Sequence, residues 1–192
     1  MQLSDKALSL VLQKYKDFNQ SRLEHTIGVA KMSKLLALRY NVDIEKALIA
    51  SYMHDYSKYD DINLAKDILS NDDIMECEKY PFLYHAYLSA EAYKRLLGND
   101  NDIYLAIRNH VFGRPNMTDL EKIIMIADYT EENRKYESCI ECRNILLDGN
   151  IDLAIYYSTL KTIEVAMENG GTPHPKQLEV LEEYKRKVNL WH

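Results

Sequence analysis

The sequence predicts an all-α protein, and three observations carry that prediction. Apolar residues recur three and four positions apart over long stretches, no stretch alternates as a half-buried strand would, and the few Gly and Pro residues fall between the periodic stretches. A first helix is expected over residues 4–18 and a second from Ser21 to Tyr40, where Leu23, Ile27 and Ala30 repeat at helical spacing. Asp43 is a suitable N-cap for a third, which runs through Ala47, Ala50 and His54 to Lys58 and ends in a polar turn. Pro81 opens another helix that continues to Leu97 and stops at Gly98, with proline at the entry and glycine at the exit. Asp102 is expected to start a shorter one that ends before Gly113.

The run TDLE at 118–121 reads as a capping box, in which the Thr118 hydroxyl bonds the amide of Glu121 and Glu121 reaches back. It sets a helix start shortly before Asp128. Two long helices follow, over 150–169 with a stop at Gly170-Gly171 and over 175–189. No repeat, low-complexity segment or Pro/Gly-rich linker divides the 192 residues, so one domain is expected.

Charge and composition exclude several functions. Thirty acidic residues against 24 Lys and Arg give a net charge of −6, which argues against nucleic acid as a partner, because phosphate-backbone binding needs a basic surface. Asp5, Lys6, Lys14 and Lys16 interrupt the apolar residues of the N-terminus, so neither a signal peptide nor a membrane span is expected and the cytoplasm is the expected location. Cys77 stands alone, and Cys139 and Cys142 form a single C-x-x-C without a second pair, which reads as two cysteines one helical turn apart rather than a zinc or redox site.

Four of the six histidines, His25, His54, His85 and His110, fall in or at the ends of the expected inner helices, accompanied by Asp55 and Asp128. Imidazole nitrogen with carboxylate oxygen suits a borderline divalent ion such as iron, manganese, cobalt or zinc, and a carboxylate can bridge two of them. Asp128 lies within the apolar run IIMIADY, where an unpaired ionised carboxylate is costly and a metal or an Arg or Lys partner would stabilise it. Arg22 stands three residues before His25 and Lys58 four after His54, spacings that place each cation on the helical face of its histidine, to contact phosphate or to pair weakly at the surface. Glu131 and Arg134 continue the region of Asp128 at helical spacing, as supporting groups or as surface charge.

Longer strings narrow the choice. They are R-x-x-H-T from Arg22 to Thr26, His54-Asp55 followed by Lys58, the isolated His85, H-x-x-G-R-P-x-M-[ST]-x-L-E-K from His110 to Lys122, and A-D-x-x-E-x-x-R from Ala127 to Arg134. In order and wording the sequence resembles the YqeK family, symmetrical bis(5'-nucleosyl)-tetraphosphatases of bacteria within the HD superfamily. The resemblance implies an HD-domain helical bundle, one domain over 1–192 with a core at about 18–135 and C-terminal helices packed on it.

It further implies His25, His54, Asp55 and Asp128 as ligands of one metal ion, with His85 and His110 completing a second that Asp55 bridges. Iron is the metal it suggests, as one or two ions. Asp55, Lys58, His85 and His110 are the implied catalytic residues, and Arg22, Lys58 and Arg134 the implied substrate-binding ones. The implied reaction cleaves diadenosine tetraphosphate and related dinucleoside polyphosphates into two nucleoside diphosphates, and the ligand is such a substrate or a nucleoside diphosphate product. A homodimer is compatible with this reading. The alternatives are another HD phosphohydrolase or phosphodiesterase and a non-catalytic nucleotide-binding regulator.

The sequence departs from the family's usual wording at Val111-Phe112, where threonines are common, at Ala86, where glycine is frequent, and at Glu132, where proline is common. Each departure spares the implied ligands and bears on substrate preference. His174, in a T-P-H-P loop, and His192 match no metal motif; His174 is expected to be structural.

Overall fold

Side-chain caps divide the chain. Asn19, Asp43, Ser70, Asp100, Thr118 and Asn150 each accept a hydrogen bond from an amide of the first helical turn that follows, where the backbone has no partner of its own. The computed structural model describes residues 2–189. Among these, the helices are α1 (Leu3–Tyr15), α2 (Gln20–Arg39), α3 (Ile44–Met53), α4 (Ala65–Ile68) after a 3-10 turn at Ile62–Leu64, α5 (Asn71–Lys79), α6 (Leu83–Leu96), α7 (Asn101–Asn109), α8 (Asp119–Thr130), α9 (Glu137–Leu147), α10 (Ile151–Glu168) and α11 (Pro175–Asn189). No described residue lies in a strand, so the all-α expectation holds. His192 lies outside the described residues.

The capping box at Thr118 forms as expected, with Glu121 bonding back to the Thr118 amide at 2.8 Å. Three expectations need correction. α3 ends at Met53 rather than Lys58, and residues 54–60 follow in tight turns with Tyr56 N–H on Met53 O and Lys58 N–H on Asp55 O. The groups that the next helical turn would use are taken elsewhere: His54 Nδ1 lies 2.6 Å from Ser51 O, the acceptor for the residue 55 amide, and the Ser57 amide donates to Ser89 Oγ at 2.9 Å and not to Met53 O, while the Tyr15 hydroxyl, 2.9 and 2.8 Å from the Asp55 and Tyr56 carbonyls, holds the turn that follows. Lys58 therefore does not share a helical face with His54. α8 ends at Thr130, and Glu131 is extended at φ −60°, ψ 155°, so Glu131 and Arg134 sit in a turn and not at helical spacing. Asp100, not Asp102, caps α7.

α5 and α9 were not expected. α5 buries only Cys77, which leaves little apolar periodicity to detect, whereas α9 buries Cys139, Cys142 and Leu146 at helical spacing with cysteines as the apolar residues. All three cysteines are free. Burial pushes the Cys142 thiol up to about 12 and raises Cys139 as well, which leaves both unreactive.

α2, α3, α7 and α8 pack together, with α1 over α3, α6 on α7, and α10 joining α9 and α11 to α8. Leu36, Met53, Ile107, Ile123, Ile124 and Ile126 are fully buried at the centre, each stabilising the fold by roughly 1.5–3 kcal/mol, and Val180 and Tyr184 of α11 join the same core. A smaller cluster holds α4, α5 and α6 through Ala65, Cys77 and Tyr87. No described helix is long and apolar enough to cross a membrane.

Glu76 ties α5 to distant elements. It accepts from the Tyr87 hydroxyl at 2.5 Å and Lys176 Nζ at 2.8 Å and faces His174 Nε2 at 3.1 Å. Burial pushes its carboxyl up, but Lys176 and Tyr87 outweigh burial and hold it below its ordinary 4.5. A carboxylate whose pKa is lower folded than unfolded stabilises the fold above the unfolded pKa and loses that contribution as pH falls through the folded one. Glu76→Gln should therefore destabilise by roughly 1 kcal/mol at pH 7 and by much less at pH 3, read by urea unfolding at both values. An equal loss at both pH values would contradict the assignment.

Candidate metal centre

Five segments converge on one buried point. α2 supplies His25, the turn after α3 supplies His54 and Asp55, α6 supplies His85, the end of α7 supplies His110, and α8 supplies Asp128. Three of the imidazoles are oriented through Nδ1. His54 Nδ1 is 2.6 Å from Ser51 O, His110 Nδ1 is 2.8 Å from Ile107 O, and His25 Nδ1 is 3.2 Å from Glu131 Oε1. An acceptor on Nδ1 fixes that nitrogen as the N–H and leaves Nε2 with its lone pair directed inward.

Asp55 lies at the middle and is 3% exposed. Its Oδ2 faces His54 Nε2 at 3.4 Å and His25 Nε2 at 3.8 Å, and Oδ1 faces His85 Nε2 at 2.9 Å and His110 Nε2 at 3.7 Å. Asp128 Oδ1 lies 3.0 Å from His25 Nε2 and 3.9 Å from His54 Nε2. The ligating atoms fall into three groups within 4.8 Å, namely His25, His54 and Asp55; His54, His110 and Asp128; and Asp55, His85 and His110. Asp55 belongs to two of the three, with one oxygen toward each side.

His25 Nε2, His54 Nε2 and Asp55 Oδ1 are buried and complete no hydrogen bond. Leaving three such atoms unsatisfied is costly, and a cation among them would satisfy all three. Four imidazole nitrogens and two carboxylates are the donor set of a borderline divalent metal, so the residues fit one.

Electrostatics favour the same occupant. Burial pushes His54 down and His85 down to about 4, so both are neutral near pH 7 and need release no proton to ligate. Burial also opposes ionisation of Asp55, but His54, His110 and His85 outweigh it and hold the carboxyl well below the usual range. Asp128 behaves alike, with His25 and Arg134 overcoming burial. His25 goes the other way: burial lowers it, while Asp128 and Glu131 more than compensate and raise it.

The expected cations gather here by routes the helical reading did not describe. Arg22 Nη1 binds Asp55 Oδ2, and Lys58 Nζ lies 3.1 Å from His85 Nε2 and 3.5 Å from Asp55 Oδ1. Arg134 clasps Asp128, with Nη2 on Oδ1 at 2.9 Å and Nε on the main-chain carbonyl at 3.2 Å. His85, His110 and Asp128 open onto a cleft of about 620 Å³ that Lys58, Arg134 and Lys161 also line. Nothing in the sequence pattern marks Lys161. His174 stands apart, with Nδ1 accepting the Lys176 amide at 3.1 Å.

Glu131, left open by the sequence, is 1% exposed and holds His25 with one oxygen while the other accepts the Asn133 amide at 2.7 Å. Arg143 of α9 clamps its turn by donating to the carbonyls of Thr130, Glu131 and Arg134 at 2.6, 2.6 and 2.9 Å. Gly28 makes the room: a Cβ there would lie 2.2 Å from Glu131 Oε2. Gly28→Ala should displace the carboxylate from His25 and weaken metal binding by roughly 10–100-fold while helical content by circular dichroism stays unchanged. Unaltered affinity in a metal titration would show that Glu131 does not orient His25.

Comparison with known proteins agrees with this geometry. The HD domain family matches residues 22–133, which include all six clustered residues. The symmetrical bis(5'-nucleosyl)-tetraphosphatase of Halalkalibacterium halodurans is 37% identical over 180 residues, covering 90% of this chain and 92% of that one. The enzyme of the same name from Bacillus subtilis is 34% identical over 174 residues, covering 89% and 91%. A crystal structure from Clostridium acetobutylicum, described as a predicted HD superfamily hydrolase involved in NAD metabolism, superposes with a TM-score of 0.83 at 31% identity over 95% of this chain and 97% of that one. The HD family match across the six clustered residues, with 34–37% identity over about 90% of the chain to two symmetrical bis(5'-nucleosyl)-tetraphosphatases, places the chain in the HD-domain family of symmetrical bis(5'-nucleosyl)-tetraphosphatases.

Proposed function

We propose that this protein hydrolyses diadenosine tetraphosphate and related dinucleoside polyphosphates symmetrically, giving two nucleoside diphosphates. The observation that carries the proposal is the buried centre around Asp55, open to a cleft that gathers Lys58, Arg134 and Lys161 in a chain of net charge −6. Cations beside ligands for divalent metal suit a polyphosphate chain. The names of the relatives supply the substrate class.

In this reading His25, His54, Asp55 and Asp128 hold one ion, and His85 and His110 share Asp55 to hold a second. Iron is the ion assigned, with manganese, cobalt and zinc as substitutes that the same donors accept. When bound, such ions lower the pKa of a water and neutralise charge on phosphoryl oxygens. Arg22 balances the Asp55 carboxylate from one side and Lys58 from the other, and Lys58 also reaches toward the cleft to meet substrate oxygens. Arg134 fixes Asp128 and offers its remaining N–H groups to phosphate. Lys58, His85, His110 and Asp55 face the reacting phosphorus, and Arg22, Lys58 and Arg134 bind the polyphosphate. The chain is read as one domain with its core at about 18–135 and as cytoplasmic, and a homodimer is compatible with this reading.

Iron-loaded protein incubated with diadenosine tetraphosphate should release ADP alone, and EDTA should stop the release; ATP with AMP among the products would sink the symmetric reading. Asp55→Ala should lose metal and at least about a hundredfold in rate while keeping its helical content. Lys58→Ala should keep its metal and lose about a hundredfold in kcat, and an unchanged kcat would remove Lys58 from the catalytic residues.

A further inference from the structure

The proposed chemistry uses only His110 of the string from His110 to Lys122, yet the string builds a buried knot around Glu121. Glu121 lies in the first turn of α8 and is 1% exposed. Arg114 Nε and Asn109 Nδ2 donate to its Oε1 at 2.7 and 2.8 Å, and Arg114 Nη2 and the Thr118 amide donate to its Oε2 at 2.7 and 2.8 Å. Two donors on each oxygen fill the acceptor capacity of the carboxylate. A capping box needs only the exchange with Thr118, so the bonds from Arg114 and Asn109 are additional to the start of the helix.

These additional bonds reach the segments that carry ligands. Asn109 is the last residue of α7 and His110 is its C-cap, the turn from which the imidazole faces His85 Nε2 at 3.2 Å and Asp55 Oδ1 at 3.7 Å. Gly113 N–H closes the same turn on Asn109 O at 2.8 Å. Its φ of 68° favours glycine, and a Cβ there would lie 3.0 Å from Sδ of both Met117 and Met125, so conformation and space both exclude a side chain. On α8, Asp128 stands two helical turns beyond Glu121 and on the same face. Glu121 therefore joins the end of α7, which presents His110, to the face of α8 that presents Asp128.

We propose that Asn109, Arg114 and Glu121 are positioning residues of the metal centre, a knot that sets His110 against Asp128 and thereby the affinity of the ion held by Asp55, His85 and His110. The assignment to that ion rests on the two-ion reading of the centre, and metal binding tests it without substrate turnover. Asn109→Ala removes the link to α7 and spares the Arg114–Glu121 pair and the Thr118 box, whereas Glu121→Ala would strip Arg114 of its partner and endanger folding. Thr118→Val serves as the control for stability: it removes the hydroxyl that accepts the Glu121 amide at 3.3 Å and leaves the link to α7 in place.

Titration of the metal-free protein with manganese, the free ion being read from its six-line paramagnetic resonance signal, gives the number of ions and their affinities, and thermal unfolding gives the stability. Wild type should take two ions. Asn109→Ala should bind one of them within about twofold of wild type and the other about tenfold more weakly, with unchanged helical content. Thr118→Val should lower Tm by roughly 2–4 °C and keep both affinities within about twofold. Wild-type affinity for both ions in Asn109→Ala would overturn the positioning role. Equal weakening in Asn109→Ala and Thr118→Val would also overturn it, by showing that the knot only stabilises the fold. Saturation of wild type at one ion would overturn the two-ion reading alone, because His110 also groups with His54 and Asp128. Asn109→Ala should then weaken that single ion about tenfold, and an unchanged affinity would overturn the knot as well.

Discussion

A carboxylate withdrawn almost completely from water keeps its charge only where the surroundings replace the lost hydration. Asp55 meets that condition with four imidazoles, the Arg22 guanidinium and the Lys58 ammonium, drawn from α2, α6, α7 and the turn after α3. The rest of the structure follows from the need to bring these groups together. α3 stops at Met53, so His54 and Asp55 lie in the turn beyond it, and the Tyr15 hydroxyl on α1 holds that turn through the carbonyls of Asp55 and Tyr56. Ser89 on α6 accepts the Ser57 amide at 2.9 Å and secures the same turn from the opposite side. α1 carries no ligand, yet the position of Asp55 depends on it.

The opposite wall is held in a comparable way. The turn after α8 carries Glu131 and Arg134, one oriented on His25 and the other on Asp128, and Arg143 on α9 binds three of its carbonyls. Supporting groups of this kind fix ring orientation and the direction of the ligating lone pair. The cleft then gathers Lys58, Arg134 and Lys161 beside the ligands, and the adjoining chamber is lined by Tyr80, Phe82 and Phe112 together with Lys79. In a chain of net charge −6 this is a local concentration of positive charge at one place on the surface.

Much of this was legible in the amino-acid order. The six clustered residues could be named because histidines and aspartates recur in helical segments with distinctive neighbours, and the Thr118 box, the Asp43 cap and the Gly170-Gly171 stop are local signals with local causes. What escaped was non-local. The groups that hold the turn after α3 are Tyr15, 40 and 41 positions before the carbonyls it binds, and Ser89, 32 positions after the amide it accepts, so helical periodicity wrongly carried Lys58 onto the face of His54. Glu131 reaches its histidine across 106 positions, and only the missing side chain of Gly28 hinted that something approaches α2 closely. α9 hid because cysteines formed its apolar face, and Lys161 because a cation in the middle of a helix carries no pattern of its own.

In the proposed centre the two oxygens of Asp55 serve two ions at once. Electron paramagnetic resonance of the protein loaded with manganese tests it directly, because ions sharing a carboxylate at roughly 3.5–4 Å are exchange-coupled. Two manganese ions per chain with a coupled spectrum are expected. An uncoupled six-line signal at full loading, or saturation at one ion per chain, would contradict the bridging role of Asp55.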